Sequence, residues 1–338
     1  MSGPSKSQVP LLSVRNAQVS FPTGRGPLRA VDGVSFDLQE GRTLGIVGES
    51  GSGKSVLVRS LLGLVGAGSG AGVGVGGEVL FEGRDLRSLS PREFRSVLGT
   101  EIGIVFQDPM TSLNPVMKIG RQIGEGLRLN RGLDSKAAAR RAVELLNEVG
   151  IPEPERRAGQ YPHEMSGGMR QRVAIAIAIA CAPKLLIADE PTTALDVTVQ
   201  RQILDLLQGE QRQRGMAMIL ITHDLGVAAG RSDDIMVMYA GRAVETAATR
   251  EIFRSPRMPY TEALLRSLPR LTDPTHTRLS AIPGRPPDLA RRSGGCSFAP
   301  RCSYRTTQCD EQQPALTREA ARGYACFHPR GVEGGVSA

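Results

Sequence analysis

The stretch Gly48-Glu49-Ser50-Gly51-Ser52-Gly53-Lys54-Ser55 constrains this chain more than any other segment. It fits G-x-x-x-x-G-K-[ST] in the context that motif requires: the apolar run Thr43–Val47 ahead of it reads as a strand, and Lys54–Val65 behind it reads as a helix. Glycines at this spacing let backbone N–H groups turn inward around phosphate oxygens, and the following helix N-terminus adds its dipole to the same anion site. Lys54 is one of five lysines beside 37 arginines. Its compact ammonium suits a bridge between β- and γ-phosphates, while the Ser55 hydroxyl suits Mg²⁺. A nucleoside triphosphate on an α/β fold is the expectation.

The rest of the chain agrees with that class. Leu11–Phe21 and Val31–Leu38 read as strands, so the opening is β-rich, and strand-like Glu78–Phe81 and Ile102–Phe106 follow. From about Val116 to Ala182 the pattern turns helical, with helix formers at Ala137–Val149 and Val173–Ala182 and breaks at Gly132, Gly150 and Pro152. Strand and helix signals then alternate through Leu185–Ala188, Val197–Leu207, Met216–Ile221, Leu225–Ala229 and Ile235–Tyr239, which is α/β grammar. A short strand (Arg242–Glu245) and two short helices lead to Pro269, and Pro274, Pro283, Pro286 and Pro287 mark a linker into a cysteine-bearing tail.

Gly66–Gly77 holds seven glycines in twelve residues, and its second half even satisfies G-x-G-x-x-G. That match neither follows a credible strand nor opens a helix, so it reads as a flexible surface loop and not as a dinucleotide site.

Charge and composition narrow the function. At 338 residues the chain is long enough for one large domain with additions, or two. The formal charge is +8, but the segment from Arg250 onward carries 14 Arg and no Lys against 8 acids, so the tail accounts for +6 of it. Aromatics are 4% and Trp is absent, which argues against a single-strand binder built on stacked bases. The longest apolar stretch, Val173–Ala182, is far short of the roughly 20 residues a spanning helix needs. Met1–Pro10 has no apolar h-region, so the chain is expected to stay in the cytoplasm.

The run Leu185–Ala188 ends in Asp189-Glu190. A buried strand that delivers two acids to a sheet edge suits Mg²⁺ held at Asp189 and an attacking water oriented by Glu190. Between this pair and the P-loop stands Met165-Ser166-Gly167-Gly168-Met169-Arg170-Gln171-Arg172, which resembles the signature of ABC-type ATPases. Val105-Phe106-Gln107-Asp108-Pro109, Ala194-Leu195-Asp196 and Ile221-Thr222-His223-Asp224 complete that family's set in order.

The resemblance implies a P-loop NTPase of ABC type, with an N-terminal antiparallel β-subdomain, a helical subdomain over about 116–182 and a small C-terminal extension. It implies that Gly48 through Ser55, with Val56, hold ATP, and that Ser55, Gln107 and Asp189 hold Mg²⁺. Lys54, Glu190 and His223 are then the catalytic set, His223 at the γ-phosphate. Phe21 takes the position of the aromatic that stacks on adenine, and core packing is the alternative for it. Ser166, Gly167 and Gly168 serve the partner's ATP in trans, and Asp196 lies at the interface between two ATPase subunits. The family often has Gln where this chain has Met169, which removes an amide here.

Three segments narrow the likeness: Tyr161 through Arg172, Ala188 through Gln200, and Phe253-Arg254-Ser255-Pro256-Arg257-Met258-Pro259-Tyr260-Thr261. They resemble the ATPase subunit of dipeptide/oligopeptide and nickel importers over roughly residues 11–330. The implied partners are a second ABC ATPase, identical or different, two transmembrane permease subunits and, indirectly, a substrate-binding protein, with no nucleic acid. The implied place is the cytoplasmic face of the membrane. On this reading residues 1–10 are a flexible N-terminus, 11–268 the ATPase domain and 269–338 the linker and extension. A nickel or other solute importer ATPase is the alternative, then a non-transport ABC ATPase acting on nucleic acid or the ribosome. One P-loop and no sustained heptad run speak against the last.

The tail reads Cys296-x5-Cys302-x6-Cys309-x16-Cys326. Four thiolates within 31 residues suit one metal centre, although the spacing is not the paired C-x2-C of a zinc site. Related importer ATPases carry a [4Fe–4S] cluster on such a tail, which the resemblance extends to these four residues. Zinc, with His328, and free or paired thiols are the alternatives. Phe298, Tyr304 and Phe327 are placed to shield a centre, Cys181 reads as a core residue and His163 as structural.

Overall fold

The computed structural model describes residues 9–24, 26–65, 72–108, 112–193, 195–268, 282–290 and 294–331. The strands are β1 (Leu12–Thr23), β2 (Gly26–Leu38), β3 (Thr43–Val47), β4 (Gly74–Phe81), β5 (Arg84–Asp85), β6 (Ile102–Val105), β7 (Leu185–Asp189), β8 (Ala217–Thr222), β9 (Asp234–Tyr239), β10 (Arg242–Ala248), β11 (Thr317–Glu319) and β12 (Arg322–Tyr324). Two compact units divide the chain, one of residues 12–37, 43–84 and 222–338, the other of residues 1–11, 38–42 and 85–221.

The first unit carries the P-loop. One sheet orders β2-β1-β4, and a second runs β11-β12-β10-β9-β3. β3 pairs parallel with β9 from Leu44↔Asp234 to Val47↔Val237, and all five β3 residues are buried, as expected for a strand covered on both faces. The core beside it gathers Val47, Leu225, Ile235, Val237, Tyr239, Ile252, Tyr260 and Phe298. The described part of the tail therefore shares a core with the P-loop strand.

In the second unit β7 lies between β6 and β8, paired parallel with both. The helix Gly167–Ile179 buries Val173, Ala174, Ile175, Ala176 and Ile179, which explains its nearly unbroken apolar sequence. Helices Ile119–Arg131, Ser135–Glu148 and Pro154–Ala158 make up the helical subdomain together with it. Asp134 starts the second of these by accepting from Ala137 N at 2.8 Å.

The structure departs from the sequence reading in three places. Gly74–Gly77, expected in a flexible loop, open β4: Gln18↔Gly76, Val19↔Val75 and Ser20↔Gly74 pair with β1. Backbone hydrogen bonding to an existing strand overrides the poor strand propensity of glycine there. The helix after the P-loop is shorter than expected, Lys54–Leu61. A helix at Pro91–Thr100 was not anticipated, although Ser90 and Glu93 form a capping box around its Pro91 start. Residues 1–8 of the expected flexible N-terminus, 66–71 of the glycine-rich segment and 269–281 of the Pro-rich linker lie outside the described residues, as do Pro109 and Ala194. Among the described residues no helix is long and apolar enough to cross a membrane.

Candidate functional site

The P-loop leaves the buried end of β3 and runs into the helix Lys54–Leu61. Gly53 caps that helix at φ 99°, where an L side chain is strained, and a Cβ there would collide with the Ala30 carbonyl. Lys54 is 4% exposed and donates from Nζ to the carbonyl oxygens of Gly48 at 2.8 Å and Glu49 at 3.1 Å. The ammonium is thus held over the loop by the loop's own carbonyls. The Ser52 side-chain hydroxyl is buried with no hydrogen-bond partner among the described residues. A buried ammonium and an unsatisfied hydroxyl on a glycine-rich loop at a helix start fit a polyphosphate.

Glu49 stands where the loop meets the tail. Its N–H donates to the Tyr260 hydroxyl at 2.9 Å. Its carboxylate takes a two-pronged bond from Arg301, Nη1 to Oε2 at 2.6 Å and Nη2 to Oε1 at 2.9 Å. The Arg301 guanidinium is held above its ordinary pKa, chiefly by Glu49, and burial raises that of the Tyr260 hydroxyl. Sequence reasoning did not single out Arg301; its only mark was a place between two cysteines. Of the remaining predicted residues in this unit, Phe21 is half-buried in β1 and His223 is exposed beyond β8. Ser55 and Val56 are half-buried in the first turn of the helix.

In the second unit β7 delivers Asp189, fully buried, and Glu190 in sequence. Glu190 has φ 46°, the left-handed region that a side-chain-bearing residue rarely adopts, and its N–H is tied to the Ile221 carbonyl at 3.1 Å. That twist points the carboxylate to Gln107, whose Nε2 donates to Oε2 at 3.0 Å, and to Thr193, whose hydroxyl lies 3.2 Å away. Gln107 and Glu190, 83 positions apart, are therefore brought together in the fold.

Ser166 is exposed and caps the helix Gly167–Ile179 by accepting from Met169 N at 3.3 Å. Gly168 backs onto the helix Val197–Arg214, and a Cβ there would stand 2.8 Å from Val199 Cγ1. Asp196 caps that second helix, accepting from Val199 N at 2.9 Å, and Val197 beside it is 81% exposed. The signature and Asp196 thus occupy adjoining helix starts.

The four tail cysteines, three of them half-buried and Cys309 buried, line one small pocket with Phe298, Tyr304, Phe327 and His328. Backbone N–H groups of Tyr304 and His328 point at Cys302 Sγ (3.4 Å) and Cys326 Sγ (3.3 Å). Burial raises the thiol pKa of Cys296, Cys302 and Cys326, the last to about 12. The expected metal centre is nonetheless not formed as such: among the described residues no group of three or more His, Cys, Asp or Glu side chains is set to hold an ion. The donor set itself, four sulfurs with N–H donors aimed at two of them inside an apolar wall, fits a thiolate-ligated group. His328 Nε2 is engaged with Thr306 Oγ1 at 3.0 Å. Cys181 is buried, as expected, and His163 is exposed and stacks on Tyr161.

Comparison with known proteins gives a consistent picture. Residues 31–193 match the family model for ABC transporters, and residues 244–309 match that for the oligopeptide/dipeptide transporter C-terminal region. The chain is 52% identical over 322 residues to the oligopeptide transport ATP-binding protein OppD of Bacillus subtilis, covering 94% of this chain and 89% of that one. It is 51% identical over 308 residues to OppD of Haemophilus influenzae, covering 91% and 94%. Among solved structures it resembles a dimeric ATP-binding cassette in a post-hydrolysis state with ADP and phosphate, at 28% identity and a TM-score of 0.63 over 71% of this chain and 99% of that one.

Proposed function

The chain belongs to the ATP-binding subunits of oligopeptide ABC transporters, and from that premise we propose how its residues share the work of ATP-driven peptide import. The protein binds and hydrolyses ATP with Mg²⁺ and couples hydrolysis to transport through membrane permease subunits. Near-complete alignment with OppD across both the ATPase segment and the C-terminal region carries this conclusion.

Within that activity, Gly48 through Val56 hold the phosphates, with Lys54 neutralising β- and γ-oxygens. Ser55, Gln107 and Asp189 would hold Mg²⁺, which would supply charge neutralisation to the phosphates when bound. Glu190 orients the attacking water and polarises it; its left-handed backbone and its bonds to Gln107 and Thr193 support a carboxylate pre-set in direction. His223 senses the γ-phosphate and Phe21 stacks on adenine. Ser166, Gly167 and Gly168 complete the site on a second ATPase subunit, identical or different, with Asp196 at the shared interface. The adjoining exposed helix starts support this assignment.

The ATPase domain on this reading is 11–268 and the extension 269–338. The subunit works peripherally at the cytoplasmic face, beside two permease subunits fed by a substrate-binding protein. The four tail cysteines hold a [4Fe–4S] cluster, with a thiolate-bound zinc as the alternative; their shared pocket and N–H donors support a sulfur-ligated group. Copurification tests the assembly: the tagged chain is expected to bring down peptide-importer permease subunits, and recovery of rRNA or DNA in their place would overturn it.

A further inference from the structure

Two independent links run from one turn of the tail to one residue of the P-loop. The 3-10 turn Ala299–Arg301 lies between Cys296 and Cys302. Its Arg301 side chain is only 4% exposed and grips both carboxylate oxygens of Glu49, itself 25% exposed. The same guanidinium donates from Nε to the Pro283 carbonyl at 2.8 Å and lies 3.3 Å from the Tyr239 hydroxyl, so its direction is fixed from several sides. The second link is aromatic. Phe298, next to the turn, packs on Tyr239 and Tyr260 at centroid separations of 5.4 and 5.3 Å, and the Tyr260 hydroxyl receives the Glu49 N–H. Glu49 is thus held by side chain and backbone together, and its carbonyl also takes a bond from Lys54.

The electrostatics give these links a purpose. A carboxylate on a loop that gathers N–H groups around a polyphosphate repels the ligand unless a cation neutralises it. Lys54 is engaged with the carbonyl oxygens of Gly48 and Glu49 and not with the Glu49 carboxylate, to which Arg301 supplies a matched planar fork. We propose that Arg301 is a positioning residue for ATP binding: it neutralises Glu49 and braces the P-loop, so the cysteine-bearing tail sets the geometry of the nucleotide site. This rests on the ATP-site reading above.

The test is ATP titration by calorimetry on the full chain in EDTA, where turnover is prevented, comparing wild type with R301M, E49Q and the double variant. Arg301→Met should weaken ATP binding about tenfold, the scale of one lost charge-assisted pair. It should weaken ADP binding less, because ADP carries one fewer phosphate charge. Adding Glu49→Gln removes the exposed carboxylate, so the double variant should return to within about threefold of wild type. A role in folding alone would lower the melting temperature without this rescue. Wild-type affinity in R301M, or a double variant as weak as R301M, would overturn the proposal. Should R301M fold poorly, Arg301→Gln keeps a polar donor but loses the charge: weakened ATP binding at an unchanged melting temperature supports the proposal, and wild-type affinity overturns it. Failure of the wild-type chain to bind ATP would sink the ATP reading itself, which separates the two outcomes.

Discussion

The side-chain amide of Gln107 donates to Glu190 Oε2 at 3.0 Å, joining the end of β6 to the end of β7. With Thr193 it holds the carboxylate of a residue already turned into the left-handed region. Gln107→Ala frees that carboxylate to rotate. Steady-state kinetics should show kcat for ATP hydrolysis reduced about ten- to a hundredfold, the cost of misplacing a group that must act in line. KM for ATP should change less than kcat, and an unchanged kcat would remove Gln107 from the positioning of Glu190.

Gly53→Ala tests the cradle. The backbone there has φ 99°, and the added Cβ would meet the Ala30 carbonyl. Strain at such a position costs about 1 kcal/mol or more, so the melting temperature should fall by a few degrees and ATP affinity should drop with it. A variant as stable as wild type would show that the loop relaxes freely.

Tyr260 gives a pH signature. Its hydroxyl is buried and accepts from Glu49 N, and burial raises its pKa above the ordinary tyrosine value. A folded-state pKa above the unfolded one favours the protonated folded state. That contribution is fully present below about pH 10 and is lost as pH rises through the folded value. Thermal melts of wild type against Tyr260→Phe should diverge in their pH slope above about pH 10, wild type falling more steeply. Parallel slopes would mean the hydroxyl does not titrate on unfolding.

The thiol pocket predicts a coloured protein. Chain purified anaerobically should carry about four iron and four sulfide, as a [4Fe–4S] group requires. Cys302→Ser should lose most of both and, because Cys302 follows the turn that holds Arg301, should weaken ATP binding in wild type more than in R301M. A colourless protein with stoichiometric zinc would favour the alternative centre.

The parts of the site that follow from local chain chemistry were legible in the sequence. The glycine spacing and Lys54 announce the phosphate loop, and the apolar run into Asp189-Glu190 announces the acid pair. The Ser90–Glu93 capping box was equally local, and it marks the helix Pro91–Thr100 that was not anticipated. The strand at Gly74–Gly77 was not readable, because its order comes from the neighbouring strand and not from glycine's own preference. The grip of Arg301 on Glu49 spans 252 positions and is one pairing among 37 arginines, so nothing local could select it. The backbone twist at Glu190 likewise arises where β7 hands over to the Ile221 carbonyl, a tertiary constraint no propensity records.

The decisive measurement is made on the assembled transporter in liposomes, with Glu190→Gln in this subunit. The substitution keeps the size and the hydrogen bonds of the side chain while removing the charge that polarises water. ATP binding should be retained within a few-fold, while hydrolysis at the site that this Glu190 serves, and peptide uptake with it, should fall to background. Undiminished steady-state ATP hydrolysis and peptide uptake in that complex would contradict the assignment of Glu190 and of this chain as the motor.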